Sequence, residues 1–418
     1  MKVLVVGGGG REHALCWSLA KSSRVSEVFC APGNAGIGAI AQCVDIGATD
    51  IDRLVGFAKE VGIGLTVVGP EDPLCRGIVD RFEAEGLRVF GPRQGAAELE
   101  GSKIFSKRIM TQYMIPTAVA RPFDDFERCR RYLEGADFPM VVKADGLAAG
   151  KGVFIVHDFT EATAALEACF HESRFGESGH RVLIEEYLQG EEASVFALTD
   201  GQTIAVLPSA RDYKRVRDGD EGPNTGGMGA YSPTPRLTPA IMDQVVGQIL
   251  VPVVHAMNRE GRTYKGLIYA GLMLTKGGPK VIEFNVRLGD PEAQPVLMRL
   301  EGGLLDILEA VLDGKLDEID LSYDERPACC VVMASEGYPG PTKVGRAIHG
   351  LDEVATGPDL QVFHAGTMRR GKEIVTSGGR VLGVTALGED LAAARARAYE
   401  AVGKIRFEGE HHRGDIAR

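Results

Sequence analysis

Short apolar runs and amphipathic stretches alternate along the first hundred residues of the chain. Runs typical of buried strands occupy residues 2–6, 28–31, 65–68 and 87–90. Stretches with a helical spacing of apolar residues lie between them, at residues 11–20, 52–60 and 74–85. Strands separated by helices of this length pair in parallel. The pattern therefore predicts an N-terminal doubly wound parallel sheet that ends near Gly101.

The pattern changes twice after this point. Residues 103–113 predict a helix, and apolar runs at 140–142, 153–156 and 182–184 predict strands in a mixed arrangement. A last region begins near Arg326, with strands predicted at 328–333, 361–364 and 380–385 and an alanine-rich helix at 391–405. We expect a multidomain protein of α/β and α+β class.

One predicted strand, at residues 281–287, carries a polar face. Its polar positions are Glu283, Asn285 and Arg287, and its apolar positions are Ile282, Phe284 and Val286. Side chains alternate between the two faces of a strand, so the three polar groups should lie together. Carboxylate and amide oxygens suit Mg²⁺, and a guanidinium binds phosphate or carboxylate. The pattern favours phosphoryl transfer; the alternative is a half-buried strand with a solvated polar face.

A glycine-rich hairpin follows Lys143, which ends an apolar strand. Gly146, Gly150 and Gly152 surround Lys151, and a second strand begins directly afterwards. Glycines let backbone N–H groups approach phosphate oxygens. A P-loop would continue with Ser or Thr and a helix, which this segment does not. We predict a flap that closes over phosphates, against the alternative of an ordinary solvated turn.

Two weaker signals complete the set. The connector after residues 182–184 is rich in glutamate and can offer backbone groups to an adenine edge and a carboxylate to ribose hydroxyls; otherwise its charges are simply surface charges. A glycine-rich loop at 224–229, preceded by Asp212, Lys214 and Arg215, can bind an anion through its amides; otherwise it is a flexible surface loop.

The glycines at 7–10 do not predict a dinucleotide site. The third glycine of that fingerprint is replaced by His13, and the second strand ends in Pro32 rather than in an acidic residue. A glycine turn before a helix still provides a site for one phosphate.

Composition narrows the function further. The chain has 418 residues, of which 44% are hydrophobic and 25% charged, and a net charge of −11, which argues against a nucleic-acid partner. No membrane-spanning run and no cleavable signal are evident. The eight cysteines lack metal spacing and predict reduced thiols, and His364, His411 and His412 lack ligand partners at suitable spacing.

The motifs occur in a collinear order over residues 1–416: GGGREHA at 8–14, APGNAG at 31–36, VGPEDPL at 68–74, KADGLAAGKGV at 143–153, DYKR at 212–215, GPNTGGMGAY at 222–231 and GDPE at 289–292. Their order resembles the ATP-grasp superfamily, and their detail resembles its glycinamide ribonucleotide synthetase family. Val286, Leu288 and Tyr213 depart from the family pattern, but none is a proposed ligand.

The resemblance implies an N-terminal substrate-binding α/β domain at residues 1–101, an ATP-grasp domain in two halves at 102–325, with its flap-bearing part at about 117–190, and a small C-terminal α+β domain at 326–418. The C-terminal domain would complete the substrate cleft, and no residue in it is expected to carry chemistry.

The resemblance also implies residue roles. The expected catalytic residues are Arg287, Lys143 and Asp290. The expected metal ligands, for Mg²⁺ or Mn²⁺, are Glu283 and Asn285. The expected ATP-binding residues are Lys103, Lys143, Gly150, Lys151, Gly152, Glu185, Glu186, Tyr187, Leu188 and Glu192; Lys103 is alternatively a helix-surface cation. The expected substrate-binding residues are Gly9, Gly10, Arg11, Asn34, Glu71, Asp72, Asp212, Lys214, Arg215, Asn224, Thr225, Gly226, Gly227, Arg287 and Asp290.

The activity implied is ATP-dependent ligation of glycine to 5-phosphoribosylamine through glycyl phosphate, in purine biosynthesis. Because the glycine carboxylate is the nucleophile, no Ser/His/Asp or Cys/His site is needed. The alternatives are another ATP-grasp ligase or carboxylase of purine metabolism, and a non-catalytic nucleotide-binding module. We expect small-molecule substrates, no nucleic acid, no membrane, a monomer and a cytoplasmic location.

Overall fold

The computed structural model describes residues 1–147, 152–171 and 180–418. Residues 1–101 form strands and helices in alternation: β1 (Lys2–Gly7), α1 (Gly10–Ala20), β2 (Glu27–Pro32), β3 (Gln42–Cys43), α2 (Ile51–Val61), β4 (Leu65–Val68), α3 (Glu71–Cys75), α4 (Ile78–Glu83), β5 (Val89–Phe90) and α5 (Gln94–Gly101).

The five strands form one parallel sheet in the order β3-β2-β1-β4-β5, which confirms the predicted doubly wound sheet. The helix predicted over residues 74–85 is wrong in one respect, because the structure divides it into α3 and α4. Gly77 lies between them with a φ of +84°, a left-handed conformation that ends the first helix.

The middle of the chain contains most of the antiparallel strands. In order, its elements are α6 (Lys103–Gln112), β6 (Ala120–Phe123), α7 (Phe126–Leu133), β7 (Met140–Ala144), β8 (Val153–Val156), α8 (Phe159–Phe170), β9 (Val182–Glu186), β10 (Glu191–Thr199), β11 (Ile204–Val206), β12 (Arg211–Asp212), β13 (Arg215–Arg217), β14 (Glu221–Asn224), β15 (Gly229–Ser232), α9 (Pro239–Val245), α10 (Val251–Arg259), β16 (Gly266–Thr275), β17 (Gly278–Asn285), α11 (Ala293–Arg299), β18 (Leu300–Glu301), α12 (Leu304–Asp313) and β19 (Ser322–Tyr323).

Two four-stranded sheets carry this middle region. Their strand orders are β6-β9-β7-β8 and β11-β10-β16-β17. The first sheet meets the second where Lys143 of β7 donates to the carbonyl of Ile282 in β17, at 3.1 Å. Lys143 and the polar strand are therefore neighbours although 139 residues separate the two hydrogen-bonded positions.

Helices α9 and α10 are joined by a π-helical turn at Val246–Leu250 into one helix, Pro239–Arg259. The prediction of no run long enough to span a membrane missed this helix of 21 residues, which is apolar enough to cross a membrane by length and composition alone. Val245, Ile249, Val253 and Met257 recur on one side at helical spacing and are fully buried in the main core. That amphipathic burial is typical of a core helix in a globular protein.

The C-terminal region forms β20 (Ala328–Ala334), β21 (Leu360–His364), β22 (Thr367–Arg370), β23 (Glu373–Thr376), β24 (Arg380–Leu387) and α13 (Leu391–Val402). Its sheet has the order β12-β15-β20-β24-β21, so two of its strands come from before residue 326. Helix α13 packs on β20 and β24 through Ala394, Ala398 and Val402. The division of the chain into three domains stays a prediction.

Buried side chains from distant parts of the chain share the same cores. One core group contains Leu4 of β1 together with Phe284 of β17, and another contains Val3 together with Phe363 of β21. All eight cysteines are free thiols. The N-terminal sheet, the sheet β11-β10-β16-β17 and the C-terminal sheet thus share core residues, whereas the sheet β6-β9-β7-β8 has a core of its own. The candidate site lies where these parts of the protein meet.

Candidate active site

The polar strand is β17, and a β-bulge modifies its predicted alternation. Glu283 lies opposite Gly271 of β16, but Val281 lies opposite Leu272, so Ile282 is an extra residue. Val281 takes the core position together with Phe284. The predicted alternation, which put Ile282 on one face with Phe284 and Val286, was therefore wrong at Ile282, which is only half-buried.

Glu283 is surrounded by positive charge, yet no hydrogen bond or ion pair to it is found among the described residues. Burial alone would raise the pKa of its carboxyl, but Lys214, Lys143 and Lys103, in that order, outweigh burial and hold the pKa below its ordinary value. Asn285 is buried, and its Oδ1 accepts a long hydrogen bond of 3.4 Å from Arg287. An ionised carboxylate beside an amide oxygen fits a hard divalent cation. In the described part of the chain no three His, Cys, Asp or Glu side chains cluster as metal ligands.

Arg287 is clamped between two carboxylates of the N-terminal region. Its Nε lies 3.0 Å from Glu71 Oε2, and its Nη2 lies 2.7 Å from Glu100 Oε1. Glu100 Oε2 also accepts from the backbone N–H of Val286 at 2.8 Å. Glu100 lies in the last turn of helix α5. It was not predicted, because nothing in the sequence of that helix distinguishes it from other surface carboxylates.

The two carboxylates around Arg287 differ in protonation. Burial would raise the pKa of Glu71, but Arg287 and then Arg11 outweigh it and lower the pKa to about 2. Burial raises the pKa of Glu100 to about 7, because Arg287 compensates it only in part and Glu71 adds repulsion. Glu71 is thus ionised at neutral pH, whereas Glu100 exchanges its proton near that pH.

Lys143 lies in a buried triad with Glu185 and Lys107. Lys143 Nζ is 2.6 Å from Glu185 Oε2, and Lys107 Nζ is 2.8 Å from Glu185 Oε1. Burial would raise the pKa of Glu185, but the two lysines outweigh it and lower the pKa. Lys107 was not predicted, although its position four residues after Lys103 on α6 places both lysines on one helix face. Lys103 itself turns inward and donates to the carbonyl of Gly146 at 2.7 Å.

The described residues include both ends of the predicted flap. Gly146 has a φ of +96°, which favours glycine, and the carbonyl of Gly152 accepts from the N–H of Ala144 at 2.9 Å. Gly150 and Lys151, two expected ATP-binding residues, lie outside the described residues.

The connector after β9 is held by specific contacts rather than by solvent alone. Glu186 Oε1 accepts from Lys280 at 3.0 Å and from the N–H of Val119 at 3.0 Å. Tyr187 is exposed and Leu188 half-buried. Glu192 pairs with Lys214 at 2.9 Å. These contacts place the connector at the edge where the two middle sheets meet.

The N-terminal turn is stabilised from within by Glu12. Glu12 Oε2 accepts from the N–H of Gly9 at 2.6 Å, and its Oε1 accepts from Arg11 Nε at 2.7 Å. Arg11 Nη1 donates to the carbonyl of Leu288 at 3.0 Å, which ties the turn to the end of the polar strand. A Cβ on Gly10 would lie 2.5 Å from Gln294 Nε2, so a larger residue there would displace the end of the Gln294 side chain.

Two of the expected substrate neighbours have other partners. Asn34 donates to the carbonyls of Gly8 and His364, at 3.0 and 2.8 Å, and accepts from two backbone N–H groups, so its hydrogen-bonding capacity is used up. These contacts indicate that Asn34 positions the turn. Asp72 forms an exposed ion pair with Arg76 on α3 at 2.7 Å. Their roles toward a substrate stay predictions.

Asp290 lies directly against the N-terminal turn. A Cβ on Gly9 would be 3.3 Å from its Oδ2. Its carboxylate accepts from Gln294 at 2.9 Å and pairs with Arg380 at 3.3 Å. Burial would raise the pKa of Asp290, but Arg380 and then Arg11 outweigh it and lower the pKa. Both Arg287 and Asp290 are therefore already neutralised by the protein.

The glycine-rich loop at 224–229 covers Asp212. Thr225 Oγ1 donates to the carbonyl of Lys214 at 2.8 Å and accepts from the N–H of Gly227 at 3.0 Å. Arg215, paired across the hairpin with Asn224, donates to the carbonyl of Gly222 at 2.6 Å. This internal bonding indicates an ordered loop rather than a flexible one.

Asp212 has no hydrogen-bond partner for its buried Oδ1 among the described residues. A Cβ on Gly227 would lie 2.7 Å from that oxygen, so the loop backbone rests on the carboxylate. Burial, and next the neighbouring Glu292, raise the pKa of Asp212 well above its ordinary value. A buried carboxyl without a partner is therefore favoured in its neutral form, and a cationic ligand placed beside it would favour the ionised form.

The chain is similar to known proteins in all the segments that form the candidate site. Three family models match the chain in order: phosphoribosylglycinamide synthetase N domain at residues 1–100, its ATP-grasp (A) domain at 101–293 and its C domain at 328–418. The chain belongs to the phosphoribosylglycinamide synthetase family. The resemblance seen in the sequence motifs is confirmed.

Members of this family are similar to the chain over its whole length. A phosphoribosylamine–glycine ligase of Caldanaerobacter subterraneus is 51% identical over 417 residues, covering 100% of this chain and 99% of the relative. A phosphoribosylamine–glycine ligase of Salmonella typhimurium is 50% identical over 422 residues, covering 100% of the chain and 98% of the relative.

Solved structures support the fold. The crystal structure of a phosphoribosylamine–glycine ligase from Thermotoga maritima has a TM-score of 0.86 and 33% identity, with 100% of both chains covered. A biotin carboxylase domain from Hydrogenobacter thermophilus has a TM-score of 0.76 at 19% identity, covering 98% of this chain and 91% of that one, and shows the fold alone. The predicted multidomain ATP-grasp fold is confirmed.

Proposed function

We propose that this protein ligates glycine to 5-phosphoribosylamine with ATP, releasing glycinamide ribonucleotide, ADP and phosphate, as a step of de novo purine biosynthesis. The observation that carries the proposal is the convergence of Lys103, Lys143, Lys214 and Arg287 on the ionised Glu283, in a chain of this family. Such a cluster suits a polyphosphate with a divalent cation.

ATP would bind between the two middle sheets. Lys143 and Lys103 would contact its phosphates, and the connector beyond Glu185 would receive the adenosine. Mg²⁺ or Mn²⁺ would be held by Glu283 and Asn285, where it would offset negative charge on the phosphates. The buried Glu185 would hold the Lys143 side chain in position, because its carboxylate pairs with Lys143 and is itself fixed by Lys107.

The glycine carboxylate would attack the γ-phosphorus of ATP, giving glycyl phosphate and ADP. The amine of phosphoribosylamine would then attack the acyl carbon and release phosphate. Fixed cations that face the transferred phosphoryl group stabilise its developing charge. Closure of the predicted flap would exclude water, to which an acyl phosphate would be lost.

The two smaller substrates would lie on either side of Asp290. The phosphate of phosphoribosylamine would be received by the turn at Gly9, Gly10 and Arg11 at the start of α1. The ammonium group of glycine would be received by Asp212, whose carboxylate lacks an internal partner among the described residues. Asp290 would separate the two positions, since it lies against the turn and is linked through Arg380 to the loop at 224–229.

Metal identity and assembly belong to the same proposal. Mg²⁺ is the expected physiological ion, with Mn²⁺ as a substitute; the protein acts as a monomer in the cytoplasm on small molecules.

The decisive experiment measures ADP release with glycine and phosphoribosylamine each omitted in turn. Release that needs both substrates, with glycinamide ribonucleotide as product, supports the proposal. ADP release that is independent of glycine would instead indicate another ATP-grasp ligase or carboxylase of purine metabolism.

A further inference from the structure

Arg380 reaches from the C-terminal sheet into the substrate region. It begins β24, and its guanidinium bonds two separate segments of the site. Nη2 pairs with Asp290 Oδ2 at 3.3 Å, and Nη1 donates both to the carbonyl of Asp290 and to the carbonyl of Gly226, the latter at 2.5 Å. No other described arginine joins the loop at 224–229 to Asp290.

Tyr338 supports the same loop from the same side. Its Oη accepts from the N–H of Gly226 at 2.8 Å, so both backbone groups of Gly226 are bound by the C-terminal region. The tyrosine ring packs against Gly379, where a Cβ would lie 2.4 Å from the ring. Glycine beside Arg380 thus lets the arginine and the tyrosine reach the loop together.

Arg380 is connected to the carboxylate of Asp212 through the glycine-rich loop. The loop backbone at Gly227, next to the bonded Gly226, rests on the unpaired Oδ1 of that carboxylate. A displacement of the loop would change what Asp212 faces. A displacement of Asp290 would change the wall that separates the two substrate positions.

We propose that Arg380 is a positioning residue for glycine. By bridging Asp290 and Gly226, it sets the distance between Asp290 and the loop that covers Asp212. The inference rests on the proposed function, and it gives the C-terminal region a role in glycine binding. The expectation that no residue of this region carries chemistry holds only in the sense that Arg380 acts through its neighbours.

The test uses the full-length enzyme and steady-state ADP release, with glycine, phosphoribosylamine and ATP varied separately. Arg380→Ala should raise the KM for glycine roughly ten-fold or more, because Asp290 and the loop lose the charge-assisted contacts that hold them in place, and should leave the KM for ATP within about two-fold. The KM for glycine of Arg380→Lys should lie between the values of the wild type and Arg380→Ala. An ammonium group can pair with Asp290 but cannot make the several hydrogen bonds of the guanidinium. Tyr338→Phe should shift the KM for glycine in the same direction by less.

Arg326→Ala is the matched control. Arg326 also belongs to the C-terminal region and is ion-paired, with Asp324 at 2.7 Å and Asp359 at 3.0 Å, but it does not contact the loop. This variant should keep the wild-type KM for glycine. Melting temperatures of all variants show whether a change in KM accompanies unfolding.

The outcomes separate the two proposals. If wild-type ADP release does not depend on glycine, the proposed function fails. If wild-type release depends on glycine but Arg380→Ala and Tyr338→Phe keep the wild-type KM for it, or change all three KM values equally, the positioning role is overturned. Should Arg380→Ala fail to fold, Arg380→Lys and Tyr338→Phe decide the question.

Discussion

At the scale of single residues, the site is built from charges that neutralise one another in pairs and leave few groups free. Arg287 is held by Glu71 and Glu100, and Lys143 is held by Glu185. Among the described residues Glu283 stands apart, because it lies near four cations without direct contact to any. Groups left unpaired in a site are the ones available to a ligand.

Glu283→Gln should lose most of the catalytic rate, because it removes the charged oxygen of the proposed metal ligand while the packing face of β17 is unchanged. The fold should persist, since no described residue bonds to the Glu283 side chain. ADP release and the melting temperature measure the two effects. Glu301→Gln, an exposed carboxylate elsewhere, is the control. Wild-type turnover in Glu283→Gln would rule out its role as a metal ligand.

Lys143→Ala should raise the KM for ATP by at least about ten-fold, because the proposed charge-assisted contact to phosphate would be lost. Lys107→Ala is an informative control: Lys107 shares the carboxylate of Glu185, but its Nζ also donates to Thr117 Oγ1, at 2.6 Å. A much smaller effect of Lys107→Ala on ATP kinetics is expected. Equal effects of both substitutions would mean that they act through Glu185 and not on phosphate.

At the scale of elements, glycines and a bulge allow segments to approach closely. The bulge in β17 moves Ile282 off the core face and lets Val281 replace it. At the end of β4, a Cβ on Gly69 would lie only 2.0 Å from Glu12 Oε1. The absence of a side chain at Gly69 thus gives Glu12 the space in which it binds the N-terminal turn.

Gly69→Ala should therefore displace Glu12 and raise the KM for phosphoribosylamine, with the KM for ATP unchanged. Overpacking of this kind costs roughly 1–3 kcal/mol in stability. Chemical denaturation and substrate kinetics test both parts. Gly56→Ala is the matched control, since Gly56 lies in α2 with no atom within 4 Å of the added Cβ, and alanine there should stabilise the helix. Normal phosphoribosylamine kinetics in Gly69→Ala would contradict the role of Glu12.

At the scale of the whole molecule, the N-terminal and C-terminal regions contact each other directly. His13 of α1 accepts at Nδ1 from the backbone N–H of His364 in β21, at 2.8 Å. Burial, and next His364, lower the pKa of His13 to about 3, and burial lowers the pKa of His364 to about 4. Both rings are thus neutral where the N-terminal and C-terminal regions meet.

Acid should weaken this contact. Both folded-state pKa values lie below the ordinary value of about 6.5, so below pH 6.5 the unfolded chain binds protons that the folded protein does not. The stability contribution is present above about pH 6.5 and is lost as the pH falls toward 4 and then 3, by roughly 1.4 kcal/mol per histidine and pH unit at most.

His13→Asn keeps an acceptor for the His364 N–H and removes one titrating group. Its free energy of unfolding should fall less steeply between pH 6.5 and 4.5 than that of the wild type. His255→Asn, at an exposed position of α10, should leave the slope unchanged. The reverse order of slopes would show that the pair does not account for acid sensitivity.

The sequence by itself determined the parallel sheet, the order of the motifs and the family, because apolar periodicity and short motifs are local properties of the chain. It also predicted which side chains of β17 would be polar, but it did not predict the bulge, since a bulge depends on the partner strand. Partner identities came only from the tertiary structure. Glu100, Lys107 and Arg380 are ordinary charged residues in their local sequence, and they become part of the site because folding brings α5, α6 and β24 against the polar strand and the substrate loop. Contacts between residues far apart in sequence are decided by packing, which local patterns do not encode.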